Sequence, residues 1–330
     1  MATMTITAPV AEVIADTRTL TKEAWRVLRR QGIGGSDAAT VLGLNPFETP
    51  MGLYLDKLGL ADEKPETEEM LWGTLLEPVV ANRFAAVMPF TVHDLPQMLR
   101  HRDHPFMTAN IDRVLIDPRH PERGPGILEC KAPGFRQLPH WGPDKAPDHY
   151  VIQVQQYMAV TGYQWGYLAA LIGGNRFVVV AVERDEAFIQ GLIQAEAAFW
   201  HRVQTHQPPP LDGSAASEKL LKTLYARAQE QPALVLPPEA EALALAWRAA
   251  KDRETAATRD RKAAEHQLEG LMGEAPEALA GPHRITWANR TRRGIDANAL
   301  KAAHRDIAEA FETTTAYRVF DVPTLKPKKE

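Results

Sequence analysis

Two strand-length apolar runs with acidic residues set into them constrain this chain more than any other feature. Residues 107–116 (MTANIDRVLI) and 126–132 (GILECKA) are joined by DPRHPERGP (117–125), whose prolines and glycine break regular structure. The spacing predicts a hairpin. Side chains alternate along a strand, so Glu129 and Lys131 share one face, and Cys130 points the other way, toward the core. Pairing across the hairpin can bring Asp112 to the same end. Two carboxylates that close repel one another unless a cation lies between them, and oxygen ligands select Mg2+ or Mn2+. The ammonium of Lys131 could then hold an attacking water and stabilise charge developing on a phosphate. For E-x-K alone, a surface ion pair is the plain alternative.

The rest of the chain places this hairpin in an α/β frame. Thr21 caps a helix to about Arg30, with Trp25 and Leu28 facing inward. GIGGSD (32–37) follows, and Ser36 stands as the N-cap of a short helix through Leu42. Thr49-Pro50 opens a helix that Gly59 stops. Over 69–87, Trp72, Leu75, Leu76, Val79 and Ala86 recur at helical spacing, and Pro78 predicts a kink after Glu77. A strand near 97–100 precedes the hairpin. A helix over 149–160 presents Tyr150, Val154, Tyr157 and Met158 on one face. A second hairpin, 165–172 with 176–183, turns at Gly173-Gly174-Asn175, and a helix over 185–206 ends at the triple proline 208–210. This order predicts an α/β sandwich with a mixed sheet rather than a doubly wound repeat.

Residues 1–18 lack a clear period and read as a disordered lead-in to a domain over 19–211. Residues 208–217 read as a linker. Residues 212–330 form a mostly helical extension with an accessory or assembly role: a long exposed, coiled-coil-like helix over 238–271, a small β element near 283–290 and a helix over 297–311. The single cysteine, Cys130, excludes an internal disulfide and a four-cysteine metal site, and fits a reducing cytoplasm. No apolar run approaches the ~20 residues that span a bilayer, and no secretory signal is visible. The net charge of −4 carries no global nucleic-acid signature, although a local basic groove or a bound metal would suffice. The acidic run Asp62, Glu63, Glu66, Glu68 and Glu69 reads as a solvated loop and helix start.

Five ordered segments are specific together: RRQGIGGSDAATVLGLNPFETP (29–50), GTLLEPVVANRF (73–84), TANIDRVL (108–115), ILECKAP (127–133) and HYVIQVQQYMAVTG (149–162). D…E-x-K on a hairpin is the pattern of the PD-(D/E)XK nucleases, and these flanks resemble the YqaJ-like viral recombinases related to phage lambda exonuclease. The resemblance covers roughly residues 25–210. One departure is Arg113, where the family often has Gly.

The resemblance implies a restriction-endonuclease-like core: a central mixed sheet flanked by helices, with a helical C-terminal extension. It makes Asp112 and Glu129 metal ligands for Mg2+, with Mn2+ as substitute, and the Cys130 carbonyl a possible backbone ligand. Lys131 would position the nucleophilic water. Glu77 would add a carboxylate through water or at a second metal, and Gln153 would lean on the site from its helix. Arg29, Arg30 and Ser36 would read a 5′-phosphate, with Gln155 grouped on the DNA side. Read from the residues alone, Glu77 and Gln153 could equally be solvated, GIGGS could be a bare helix junction, and the choice between Arg29 and Arg30 stays open.

The activity implied is 5′-to-3′ digestion of one strand of linear double-stranded DNA, leaving 3′ single strands for annealing recombination. A homo-oligomeric (trimeric) ring, a single-strand annealing protein as partner, no membrane, and a bacterial cytoplasm with phage or prophage origin are also implied. The rivals are an endonuclease on the same core and a non-catalytic DNA-binding assembly protein. The weaker candidates are the H-x-x-H of His101 and His104, base stacking by Trp72, Trp141 or Trp165, and phosphate contact by Arg290, Arg292 or Arg293.

Overall fold

In chain order the first part of the molecule runs β1 (Ala11–Asp16), α1 (Lys22–Arg30), α2 (Gly35–Val41), α3 (Pro50–Lys57), α4 (Glu68–Val87), β2 (Thr91–Asp94), β3 (Gln97–His101), β4 (Thr108–Asn110), β5 (Arg113–Ile116), β6 (Gly126–Lys131), α5 (Asp148–Thr161), β7 (Trp165–Ile172), β8 (Arg176–Glu183), α6 (Glu186–Gln204) and α7 (Ala215–Leu224). The computed structural model describes residues 8–61, 67–225, 232–291, 293, 296–313 and 319–323. Asp62, Glu63, Glu66 and Arg292 lie outside them. The chain divides into two units, one up to Leu224 and one from Tyr225 onward.

The first unit is organised by a five-stranded sheet ordered β2-β5-β6-β7-β8. Its pairs are antiparallel except β6 with β7. A parallel pair needs a long crossover, and α5 supplies it. The alternation along GILECK sorts the core. Ile127 joins Val154, Tyr157 and Met158 of α5 on one face, whereas Leu128 and Cys130 join Val80, Ala81 and Phe84 of α4 on the other. Burying each large apolar side chain contributes about 1.5–3 kcal/mol, which holds β6 rigidly between its two helices. This is the central mixed sheet flanked by helices that the resemblance implies. The second hairpin forms at the expected residues, with Gly173 at φ 59° and Gly174 at φ 78° in its turn.

Several expectations need correction. Residues 11–16 are not a disordered lead-in: they pair antiparallel with β3 in a separate sheet ordered β1-β3-β4. Of this strand's residues only Ala11 is buried, so no apolar alternation announces it. The run 107–116 is two strands rather than one. It breaks at Ile111-Asp112, sending β4 to the small sheet and β5 to the large one. On α4 the core face is Val80, Ala81 and Phe84, while Trp72, Leu75 and Val79 are each half exposed or more. Thr67 caps that helix, and Pro78 lies inside it. Gly34, not Ser36, is the N-cap of α2.

In the second unit α8 (Glu239–Met272) is a 34-residue helix with only Met272 buried. It is followed by the hairpin β9 (Glu277–Ala280) with β10 (His283–Thr286), then α9 (Ala297–Ala303) and α10 (Arg305–Ala310). The helix expected over 297–311 is thus two short ones interrupted at His304, a residue with non-helical backbone angles. The Trp247 ring of α8 meets Phe320 edge-on at 5.7 Å, and Arg248 donates to the Val322 carbonyl at 2.8 Å. No helix among the described residues is long and apolar enough to cross a membrane.

Candidate active site

Register brings the site together. Arg113 sits opposite Leu128 across β5 and β6, so the preceding residue, Asp112, falls beside Glu129 and Cys130. The Cys130 N–H donates to Asp112 Oδ2 at 2.8 Å. Glu129 and Lys131 share a face, as the period of two requires, with Lys131 Nζ 2.5 Å from Glu129 Oε1. Gln153, from α5, joins both: its Nε2 donates to Glu129 Oε1 at 2.6 Å, and its Oε1 accepts from Lys131 Nζ at 3.0 Å. The same Nε2 lies 2.9 Å from the Tyr157 hydroxyl, one helical turn further along. Lys131 Nζ also stands 4.8 Å over the Tyr150 ring.

The electrostatics are those of a site awaiting positive charge. Glu129 is 2% exposed, and its Oε2 is buried without a hydrogen-bond partner. Burial, then repulsion from Glu129, holds the Asp112 carboxyl well above the usual carboxylate range. Burial also raises Glu129, against the pull of Lys131. For Lys131 the sign reverses: burial alone would depress the ammonium, but attraction to Glu129 and Asp112 outweighs it and the pKa is raised. Among the described residues no three His, Cys, Asp or Glu side chains form a ready metal cage. What is present fits a hard cation held by two carboxylates, Asp112 and Glu129, whose orphaned oxygen lacks any other partner.

Glu77 stands differently from the expectation. Its Oε1 accepts from Arg113 Nη1 at 2.6 Å, and the same nitrogen donates to the Asp112 carbonyl. Arg113 Nε also lies 2.9 Å from Asp94. The carboxylate is therefore close to the site but already paired, because the residue after Asp112 is an arginine.

The glycine-rich segment brings Arg29 and Ser36 together and leaves Arg30 apart. Arg29 Nη2 donates to Ser36 Oγ at 2.6 Å and to Asp37 Oδ1 at 2.8 Å. Arg30 instead lies 3.7 Å from Asp56. Asp37 Oδ2 accepts from the Gly34 N–H at 3.1 Å and from Lys57 Nζ at 2.7 Å. Burial would raise the Asp37 carboxyl, but Arg29 and Lys57 overcome it and keep the group ionised. Arg29, Ser36, Asp37 and Asp56 line a cavity of about 330 Å³ with Trp25, Arg30 and Asn45. Gly35 touches the active-site helix: a Cβ there would come 2.4 Å from the Tyr157 ring and 3.0 Å from Gln153 Cγ.

Gln155 is not brought to the site. Its Nε2 donates to the Glu183 carbonyl and its Oε1 accepts from the Asp185 N–H, pinning the β8–α6 junction. Trp141 and Trp165 are core residues, while Trp72 is exposed. His101 Nδ1 accepts two backbone N–H groups, from Asp103 and His104, and so serves its own loop. Arg290 and Arg293 are exposed. Sequence reasoning missed Asp37 and Lys57, and it named Arg113 and Tyr157 without foreseeing their bonds to Glu77 and Gln153. Asp37 carried a usable signal as an acid at the third position of a helix that follows glycines, and Tyr157 another, four residues from Gln153 on one helix face.

Comparison with known proteins places the chain in a family. The model of the YqaJ-like viral recombinase domain matches residues 24–164. Over 321 residues, 96% of this chain and 99% of the other, the chain is 34% identical to the uncharacterized protein YqaJ of Bacillus subtilis (strain 168). The chain belongs to the YqaJ-like viral recombinase family. It is also 40% identical over 57 residues, 17% of its length, to 16% of protein D345L of African swine fever virus (strain Badajoz 1971 Vero-adapted). Among solved structures it is similar to the alkaline exonuclease LHK-Exo from Laribacter hongkongensis, with 20% identity and a TM-score of 0.45 over 62% of this chain and 99% of that one.

Proposed function

We propose that this family member is a divalent-metal-dependent exonuclease acting on linear double-stranded DNA. The observation that carries the reading is the Asp112, Glu129 and Lys131 cluster, buried against α5, with one Glu129 oxygen left without a partner. Unlike the buried Glu196, this carboxyl stands beside a second one, Asp112, and a cation would relieve the repulsion between them. Mg2+ or Mn2+ would be held by Asp112 and Glu129, with the Cys130 carbonyl as a further ligand, and would supply Lewis-acid activation of water and of the scissile phosphate. Lys131 holds the attacking water and neutralises charge gathering on the phosphate oxygens. Gln153 fixes the angle between Lys131 and Glu129 by bonding to both.

Arg29 and Ser36 read the terminal 5′-phosphate, a group with more negative charge than an internal phosphodiester. Digestion from the 5′ end, a 3′ overhang, a trimeric ring around the duplex, an annealing protein that receives the product strand, and a bacterial cytoplasm with phage or prophage origin rest on the family resemblance. The test is digestion of linear duplexes with and without 5′-phosphates, beside closed circles, in Mg2+ and in EDTA. The reading expects metal-dependent loss of linear DNA, faster from phosphorylated ends. Cutting of closed circles would favour an endonuclease, and full activity in EDTA would remove the metal.

A further inference from the structure

Arg113 directly follows Asp112 and occupies the space beside the proposed metal ligands. Its side chain is 15% exposed, and its guanidinium lies between the Glu77 carboxylate, at 2.6 Å, and the Asp112 carbonyl. We propose that Arg113 takes the place of a second cation, so that this protein binds one divalent ion per chain and Glu77 is not a metal ligand. The inference rests on the metal-dependent reading above.

Charge balance supports it. Asp112, Glu129, Glu77 and Asp94 bring four negative charges when ionised, and Lys131 and Arg113 bring two positive ones. One divalent cation balances the resulting net of −2. A second would leave an excess of +2 around a poorly solvated site, which is costly. Geometry points the same way. A second ion shared by Glu77 and Asp112 would need the space between them, at about 2.0–2.1 Å from each oxygen, and Arg113 Nη1 already bridges Glu77 Oε1 and the Asp112 carbonyl there. Arginine stays protonated at any working pH, so the substitution is permanent rather than conditional. Glycine at this position would leave Glu77 unpaired and able to bind an ion.

The decisive measurement is Mn2+ stoichiometry on the full-length protein without DNA, from the electron paramagnetic resonance signal of free Mn2+ during titration to saturation. Wild type should bind one Mn2+ per chain, and Arg113→Lys should also bind one. Arg113→Ala should bind two, and adding Glu77→Gln to that variant should return the count to one. Two ions in wild type, or one in a folded Arg113→Ala, overturns the proposal. If thermal melts show that Arg113→Ala has lost its fold, Glu77→Gln alone decides. An unchanged count of one supports the proposal, and a reduced count makes Glu77 a ligand and refutes it. A wild-type count of zero would sink the metal-dependent reading and this inference together, whereas a count of two with EDTA-sensitive cleavage would sink this inference alone.

Discussion

At the scale of single residues, Lys131 separates chemistry from binding. It is the cation paired with Glu129, so Lys131→Ala should lower turnover by ~10²–10³, the usual effect of losing one electrostatic donor. DNA affinity should change little, because backbone phosphate contacts elsewhere dominate it. Single-turnover rates beside filter-binding constants would check both halves. The shared face of Glu129 and Lys131 was legible in the sequence because strand periodicity puts E-x-K on one face; Asp112 needed the hairpin pairing, and the roles of all three came from the resemblance. The pairing of Arg113 was not legible, since nothing in a linear chain tells which acid an arginine will meet.

A carboxyl outside the site also adds to the pH dependence of stability. Glu196 is fully buried, its Oε1 has no partner, and its Oε2 lies 3.3 Å from Gln156 Nε2. Burial holds its pKa well above the ordinary value despite that bond. The folded state therefore binds a proton more tightly than the unfolded one. Stability is full below the usual carboxylate range and falls as pH rises toward the raised value, by on the order of 1.4 kcal/mol per pH unit inside that window. Glu196→Gln should lessen that slope in urea titrations across pH, with Asp112 and Glu129 supplying the remainder. An unchanged slope would assign the pH dependence to other groups.

At the scale of elements, boundaries set by turn chemistry were readable, and those set by tertiary partners were not. The β7–β8 hairpin announces itself by two apolar runs around Gly-Gly-Asn. The break at Ile111-Asp112 is invisible because both halves are strand; only the change of sheet separates them. The inner face of α4 was misread since its apolar residues ring the helix, so periodicity cannot choose among them. The packing of α2 on α5 yields a prediction of its own. Gly35→Ala would drive a methyl into Tyr157 and displace Gln153, costing about 1–3 kcal/mol and lowering kcat with it. Denaturant midpoints and kcat on one preparation would test it; a stable variant with reduced rate would place the effect on Gln153 alone. On the same helix junction, Arg29→Ala with Ser36→Ala should shrink the rate ratio between 5′-phosphorylated and 5′-hydroxyl ends, whereas Arg30→Ala should leave it close to wild type. An undiminished ratio in the double variant would reduce GIGGS to a helix junction.

At the scale of the whole molecule, the division falls after Leu224, later than the proline-rich stretch at 208–210 suggests, because α7 groups with the first unit. A chain shortened to end at Leu224 contains every residue assigned to the site. It should fold by circular dichroism and keep EDTA-sensitive cleavage; a folded but inactive product would give the remainder a part in catalysis or assembly. The β5–β6 connection matters in another way. Its tip, residues 118–122, is exposed, while the register that aligns Asp112 with Glu129 is set by the strands themselves. Length can therefore be added at that tip without moving the carboxylates, whereas one residue inserted within β6 would turn Glu129 to the opposite side of the sheet. A fluorescent reporter spliced between Arg119 and His120 would thus travel with the active site without disturbing it, giving a handle for watching single molecules advance along DNA.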